Sequence, residues 1–313
     1  MKPAVLVSLV LALLVSSPSL RADVVRLVDE SNVSCLVPCK RAAVVFIHGI
    51  LGSKETWENG TTTWPELLAA DGGIGDEVDV YRVDFDSYMF YAAPSIVDVL
   101  SELQDKLDDL FRLKQYSKIF LVGHSLGGNI ARAYLMHVKA RYGHRALSAF
   151  RVTFTLGTPM EGSSLASIVS FASRNPQLRV LLPIKVNDFQ QLLNQTLLSV
   201  RSKHHDVYCP QMSLLAAYET LPMGLAGILV SRESATKYAD LAQGFSRSHS
   251  TLVKPRDRLD PVYRWVTDSM ASCIAGEGRC RERVTPDCGR LPEGWPDLNL
   301  EVIPRLSPAS APR

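Results

Sequence analysis

The chain of 313 residues carries almost no net charge: 34 Lys and Arg stand against 32 Asp and Glu, a formal +2. No basic block interrupts that balance. The electrostatic footprint of a nucleic-acid binder is missing, and no nucleic-acid partner is expected. Lys2 and Arg21 are the only charged residues among the first 22, so without that stretch the balance falls to zero. Cysteine is scarce, at six residues, and its Cys-x3-Cys and Cys-x6-Cys-x7-Cys spacings have no histidines beside them. Zinc is therefore a weak reading, and no metal site is expected. No internal repeat is present, which removes solenoids and propellers.

The amino-terminal apolar run, Ala4 to Val15, is also short. A bilayer span takes about 20 residues, whereas about a dozen suits the h-region of a secretory signal. With Lys2 ahead of it, residues 1–22 read as a signal peptide and the protein as exported, periplasmic or secreted. Cleavage is expected near Ala22, with Ser19 as a second candidate, and an uncleaved anchor is the alternative. No cysteine follows the run directly, so no lipoprotein anchor is expected. Cys35, Cys39, Cys209, Cys273, Cys280 and Cys288 all fall in the remainder, and an even number in an exported chain suggests disulfides. Cys35–Cys39 and Cys280–Cys288 are plausible local pairs, leaving Cys209 with Cys273, one of many pairings that six cysteines allow.

What the chain does have is alternation of strand and helix patterns. Ala42 to Ile47 is apolar at every position, as a strand buried on both faces would be. Val24–Val28, Val78–Phe85, Lys118–Val122, Arg151–Leu156, Met212–Tyr218 and Gly227–Val230 are the other strand candidates. Helices are expected over Trp64–Ala70, Ser95–Leu113, Leu126 to about Lys139, and Pro261–Ala275. In the second of these Ile96, Leu100, Leu103, Leu107 and Leu110 recur at steps of three or four. Such alternation predicts an α/β fold: a mostly parallel central sheet flanked by helices over residues 23–275. Residues 163–206 break the pattern with helical, leucine-rich stretches and no clear strand. They read as a helical cap or lid insertion, or as ordinary packing helices. Gly244–Ser250 reads as a loop. Residues 276–313, with cysteines and prolines, read as a loop-rich tail.

The densest signal is Gly123-His124-Ser125-Leu126-Gly127, between a strand and a helix-competent stretch. Glycines on both sides allow the sharp strand-to-helix turn of a nucleophile elbow, with the Ser125 hydroxyl at the apex. A serine hydroxyl needs a general base, and the base needs an orienting acceptor. In such sheets they follow the serine in the order acid, then histidine. Of seven histidines, His249 alone lies after the last strand candidate and before the closing helix, so it is the candidate base. Glu219, directly after Met212–Tyr218, is the favoured acid; Asp206, Glu233 and Asp240 are alternatives. The negative oxygen of the transition state needs preorganised N–H donors. Leu126, at a helix start, offers one. Ile50, in the turn after the first buried strand, offers the second, with Leu51 the near alternative.

These residues and their surroundings resemble the α/β-hydrolase superfamily, and more narrowly the lipase-like serine esterases that include GPI inositol-deacylase-like proteins. The matching stretches are Val45-Phe46-Ile47-His48-Gly49, Gly123–Gly128, and Leu156-Gly157-Thr158-Pro159-Met160-Glu161-Gly162-Ser163. Tyr218-Glu219-Thr220, Glu233-Ser234-Ala235 and His249-Ser250-Thr251-Leu252-Val253-Lys254-Pro255 match as well. The resemblance implies an α/β-hydrolase fold, ester hydrolysis through an acyl-enzyme on Ser125, His249 and Glu219, and no metal or organic cofactor. The aspartate usual before the histidine in that family is absent, and Ser248 stands there.

The expected activity is a carboxylic ester hydrolase, an esterase or lipase. The apolar insertion favours lipid or acyl-chain esters and transient contact with a membrane surface. A thioesterase or peptidase on the same triad, or a non-catalytic binding protein with this fold, are the rival readings.

Overall fold

Among the described residues seven strands form in chain order: β1 (Ala22–Leu27), β2 (Ala42–Ile47), β3 (Val78–Phe85), β4 (Lys118–His124), β5 (Phe150–Leu156), β6 (Ser213–Glu219) and β7 (Leu241–Phe245). They make one sheet of order β1-β3-β2-β4-β5-β6-β7. Only β1 runs antiparallel, on β3; every other pairing is parallel. The computed structural model describes residues 22–27, 42–50, 52–87, 96–114, 116–162, 188–201 and 212–277.

Strand periodicity divides the core in two. Ala43, Val45 and Ile47 of β2 join one buried cluster, while Ala42, Val44 and Phe46 join the other. In β4, Ile119 and Leu121 oppose Phe120 and Val122 in the same way. A strand that is apolar throughout is thus a strand covered on both faces. Helices α1 (Trp64–Ala69), α2 (Ile96–Lys114), α3 (Leu126–Leu147), α4 (Asp188–Arg201), α5 (Arg232–Thr236) and α6 (Pro261–Ile274) supply the cover. Val99, Leu100, Leu103 and Leu107 of α2 pack into the first cluster with Ile130, Tyr134 and Val138 of α3. Trp64 and Leu68 of α1 pack into the second with Val262, Val266 and Met270 of α6.

The helix starts follow from their sequences. Thr63 caps α1, accepting from the Glu66 amide at 3.3 Å, while the Glu66 carboxylate accepts from the Thr63 amide at 2.9 Å. Asp260 caps α6, accepting from the Val262 amide at 3.1 Å, with Pro261 beginning the helix. Each such cap is worth roughly 1 kcal/mol.

Several boundaries depart from expectation. β1 begins at Ala22, which is buried and whose amide donates to Glu102 Oε1 at 2.8 Å. α3 runs past Lys139 to Leu147, with a break at Gly143 (φ 79°). Gly227–Val230 is not a strand. It leaves a 3-10 turn at Gly224–Ala226 through Gly227 (φ 71°), and Ile228 is exposed. The seventh strand is instead Leu241–Phe245, part of which had been expected to be loop. As an edge strand it is exposed over Leu241–Gln243, so its mixed composition carries no burial signal.

Within residues 163–206, expected to be a helical cap or packing helices, 188–201 is a helix packed on α3 through Leu193 and Leu197. The buried guanidinium of Arg132 on α3 donates to Asn129 Oδ1 at 2.9 Å and to Asn194 Oδ1 on α4. Burial pushes its pKa down to about 9. Residues 163–187 and 202–206 lie outside the described residues, as do 1–21, the bulk of the expected signal peptide 1–22, and the residues from 278 on. Cys273 on α6 is disulfide-bonded; the other five cysteines lie outside the described residues.

Candidate active site

Parallel strands direct their carboxyl ends to one side, and the candidate residues gather there. Ser125 follows the last residue of β4 and precedes the first of α3, as the elbow pattern predicts. Its φ of 52° places a non-glycine residue in the left-handed region, a strain of about 1–3 kcal/mol. Backbone hydrogen bonds hold it there. Its amide donates to Leu156 O at 2.9 Å, and its carbonyl accepts from the Gly128 amide at 3.1 Å. The flanking glycines are steric necessities. A Cβ on Gly127 would lie 2.0 Å from Ile47 O, and one on Gly123 would lie 2.5 Å from Gly128 Cα.

The turn after β2 runs beside this serine. A Cβ on Gly49 would come within 2.8 Å of Ser125 Cβ, so His48-Gly49-Ile50 passes directly over the elbow. Ile50 is half-buried against the first core cluster. Leu126, fully buried, opens α3, where N–H groups face outward from a helix start. The expected pair of N–H donors therefore comes from segments that flank Ser125. Leu51 lies outside the described residues.

His249 and Glu219 meet. His249 Nδ1 donates to Glu219 Oε1 at 3.1 Å, and that oxygen also accepts from the Val230 amide at 2.8 Å. Both residues are buried. Burial pushes the Glu219 carboxyl up, but the His249 hydrogen bond and charge and the Val230 N–H outweigh it, so its pKa sits below the usual value. Glu219 is thus ionised, and it fixes the histidine tautomer that leaves Nε2 as an acceptor. The pair lies against Gly157 (φ 57°): a Cβ there would sit 3.0 Å from His249 Nδ1 and 3.1 Å from Glu219 Oε2. Gly157 follows Leu156, whose carbonyl holds the Ser125 amide. The end of β5 and the glycine after it thereby support both the serine and the histidine–acid pair.

The other candidate acids lie elsewhere. Glu233 is exposed on α5, because the strand expected before it does not form. Asp240 Oδ2 accepts from the Leu214 amide at 2.8 Å, at the opposite end of β6. Asp206 is outside the described residues. Ser248, in the place of the family's aspartate, is engaged in its own loop: its amide donates to Thr251 Oγ1 at 2.9 Å and its carbonyl accepts from Leu252 N at 2.9 Å.

Two further histidines, His48 and His124, lie beside these residues, although neither follows Ser125 in the chain as a base in this fold would. His124 Nε2 donates to the His249 carbonyl at 3.1 Å, with the two rings 4.8 Å apart. Burial first, and then the proximity of His249, holds the His124 imidazole well below its ordinary pKa. His48 Nδ1 donates to Gly49 O at 2.8 Å while Nε2 accepts from the Phe85 amide at 3.2 Å. Its ring stacks on Phe85 with centroids 4.0 Å apart. Burial lowers its pKa, so it is neutral and braces the turn carrying Ile50. No local signal could have found the first contact, whose partners are 125 residues apart.

The carboxyl end of the sheet thus carries a strained serine on its elbow, a buried histidine–carboxylate pair, and two segments whose N–H groups flank the serine. Among the described residues no cluster of His, Cys, Asp and Glu is placed to hold a metal. Comparison with known proteins agrees with the fold. One stretch of 104 residues is 28% identical to the 2-succinyl-6-hydroxy-2,4-cyclohexadiene-1-carboxylate synthase of Serratia proteamaculans (strain 568), covering 32% of this chain and 35% of that protein. The chain thus matches about a third of the length of that curated relative. The mature form of the Bacillus licheniformis lipase BlEst2 superposes with a TM-score of 0.53 at 17% identity, over 79% of this chain and 98% of that one. Its propeptide form superposes with a TM-score of 0.51 at 15% identity, over 85% and 56%. At such identities the likeness is one of fold. A model of the alpha/beta hydrolase family matches residues 44–297, most of the sequence, and the chain belongs to that family.

Proposed function

We propose that the protein is an exported serine hydrolase of carboxylic esters, acting on lipid or acyl-chain substrates. Ser125 attacks the ester carbonyl, and His249 takes the hydroxyl proton and returns it to the leaving alcohol. Glu219 orients the imidazole and stabilises its charged form, while the Ile50 and Leu126 N–H groups receive the oxyanion. Water, deprotonated by His249, then releases the acid and regenerates the serine. The observation that carries this reading is the conjunction at Gly157: a strained serine tied to Leu156 O, and a buried His249–Glu219 hydrogen bond resting on the next residue.

The Gly157-Thr158-Pro159 and His249…Val253-Lys254-Pro255 stretches favour the GPI inositol-deacylase-like branch of the lipase-like esterases. The likeness to a lipase fold supports acyl-ester chemistry. For export, the apolar segment before residue 22 and the disulfide at Cys273 support the reading. Ala22, buried in β1, favours the earlier cleavage place at Ser19.

A fluorophosphonate probe tests the chemistry. Wild type should be labelled at Ser125, and Ser125→Ala should lose the label together with at least about a thousandfold in ester turnover. An unlabelled wild type would reject the reading in favour of a binding protein. Rates across p-nitrophenyl esters should rise with acyl length; fastest turnover of the acetyl ester would remove the lipid part.

A further inference from the structure

Beyond Glu219 and Thr220 the chain enters nine residues with no charged, aromatic or hydrogen-bonding side chain: Leu221-Pro222-Met223-Gly224-Leu225-Ala226-Gly227-Ile228-Leu229. Such a run would ordinarily be core. Here it stands out from the protein. Leu221 is 47% exposed, Ile228 38%, and Leu225 at the tip 110%, more than in the extended reference chain. Pro222 and Ala226 are exposed between them.

The loop is also closed upon itself. The Met223 amide donates to Gly227 O at 2.8 Å and the Ala226 amide to Met223 O at 3.1 Å. Its roots are tied to the sheet edge and to the site. Thr220 N donates to Phe245 O at 3.1 Å, Leu221 N to Arg247 O at 3.0 Å, and Val230 N to the Glu219 carboxylate at 2.8 Å. The result is an apolar protrusion on the same end of the sheet as Ser125.

We propose that residues 221–229 dock this protein on a lipid bilayer, with Leu225 inserted among the acyl chains. The chemistry of the loop selects that partner. A protein interface relies on aromatic or arginine anchors and on hydrogen bonds at intervals across its area. This loop offers none of those side chains, and it is convex rather than a groove. A bilayer surface requires chiefly apolar area, and backbone pairing lowers the cost of entering it; the turn bonds pair the Met223, Ala226 and Gly227 amides. Docking through this loop turns the mouth of the site toward the interface. The inference rests on the ester-hydrolase reading only for the identity of the substrate so presented.

Flotation of the full-length protein with phosphatidylcholine vesicles tests it. Wild type should float, Leu225→Asp should lower the vesicle-bound fraction about tenfold or more, and Leu241→Asp should not. Leu241 is an exposed leucine (43%) at the far end of β7, away from the loop, and the exposure of both residues leaves the fold intact under substitution. A wild type that stays in the soluble fraction overturns the proposal. So does equal loss in both variants, or binding that survives Leu225→Asp, or self-association through Leu225 in place of vesicle binding. Fluorophosphonate labelling of the same samples reports the triad separately. Flotation through Leu225 without labelling removes the ester-hydrolase reading and leaves the docking surface. Labelling without flotation does the reverse.

Discussion

Ser125 and His249 are held in place by different means. Around the serine, backbone meets backbone. The Ser125 amide is bonded to Leu156 O, and Gly127 lies so close to β2 that a Cβ there would stand 2.0 Å from Ile47 O. Around the histidine, side chains do the holding: Glu219 takes its Nδ1–H, Val230 N–H steadies that carboxylate, and His124 grips the His249 carbonyl. Backbone packing has nowhere to yield. A side-chain network can lose one member and keep the rest, so the two halves of the site should respond to substitution on different scales.

Gly127→Ala should give the largest effect. The new methyl meets the carbonyl oxygens of Ile47 and His48, both main-chain atoms between two buried strands. Overpacking of that kind against backbone costs several kcal/mol, beyond the usual range of about 1–3 for flexible surroundings. Thermal unfolding should show a fall in Tm of 10 °C or more, about what several kcal/mol implies for a domain of this size. A variant that melts like wild type would mean that the elbow is not packed against β2 as described.

The same contrast explains what was legible in the sequence. The elbow is written in consecutive residues, because the steric constraints on its turn fall on Gly123 and Gly127, with Gly49 the one contribution from a distant segment. The pairing of Glu219 with His249 was partly readable through topology: Glu219 closes β6, and His249 follows β7 and precedes the last helix. His124 as a brace for His249 was not readable: the bond joins residues 125 apart and involves a main-chain carbonyl, which selects no residue type. The false strand at Gly227–Val230 failed for a related reason. Its apolar residues suggested a buried strand, but the loop they belong to closes on itself, leaving Ile228 exposed and burying only Val230 at its root. Conversely Leu241–Phe245 pairs with β6 as an edge, where one side needs no apolar cover.

Glu219→Gln should come next, acting on turnover more than on folding. The amide can still accept from Val230, but it no longer stabilises a charged imidazole, and a loss of about 10²–10⁴ in kcat is expected with KM little changed. The variant also separates a pH effect. The folded pKa of Glu219 lies below its unfolded value, so its contribution to stability is complete above the usual carboxylate range near about pH 4.3 and is lost as pH falls through the lower folded value. Wild type should therefore lose stability on acidification through that window more steeply than Glu219→Gln, as urea midpoints at successive pH values would report. Parallel curves would place the carboxylate outside the ionised pair.

His124→Leu should give the smallest change, and it probes the side-chain network at its remotest member. Leucine fills the space but removes the N–H that holds the His249 carbonyl, leaving a buried acceptor unpaired. A lost hydrogen bond of that kind is worth about 1–3 kcal/mol. Part of that appears as reduced stability. The remainder appears as drift of the imidazole away from Ser125, lowering kcat roughly tenfold while KM stays within about twofold. His124→Gln restores an N–H donor near the position of Nε2 and should recover most of the turnover. A packing role alone predicts a different pattern: leucine, apolar and of similar bulk, would then be tolerated at least as well as glutamine. Since burial keeps His124 neutral, neither substitution alters the charge at the site, and the ratio of the two kcat values isolates the hydrogen bond.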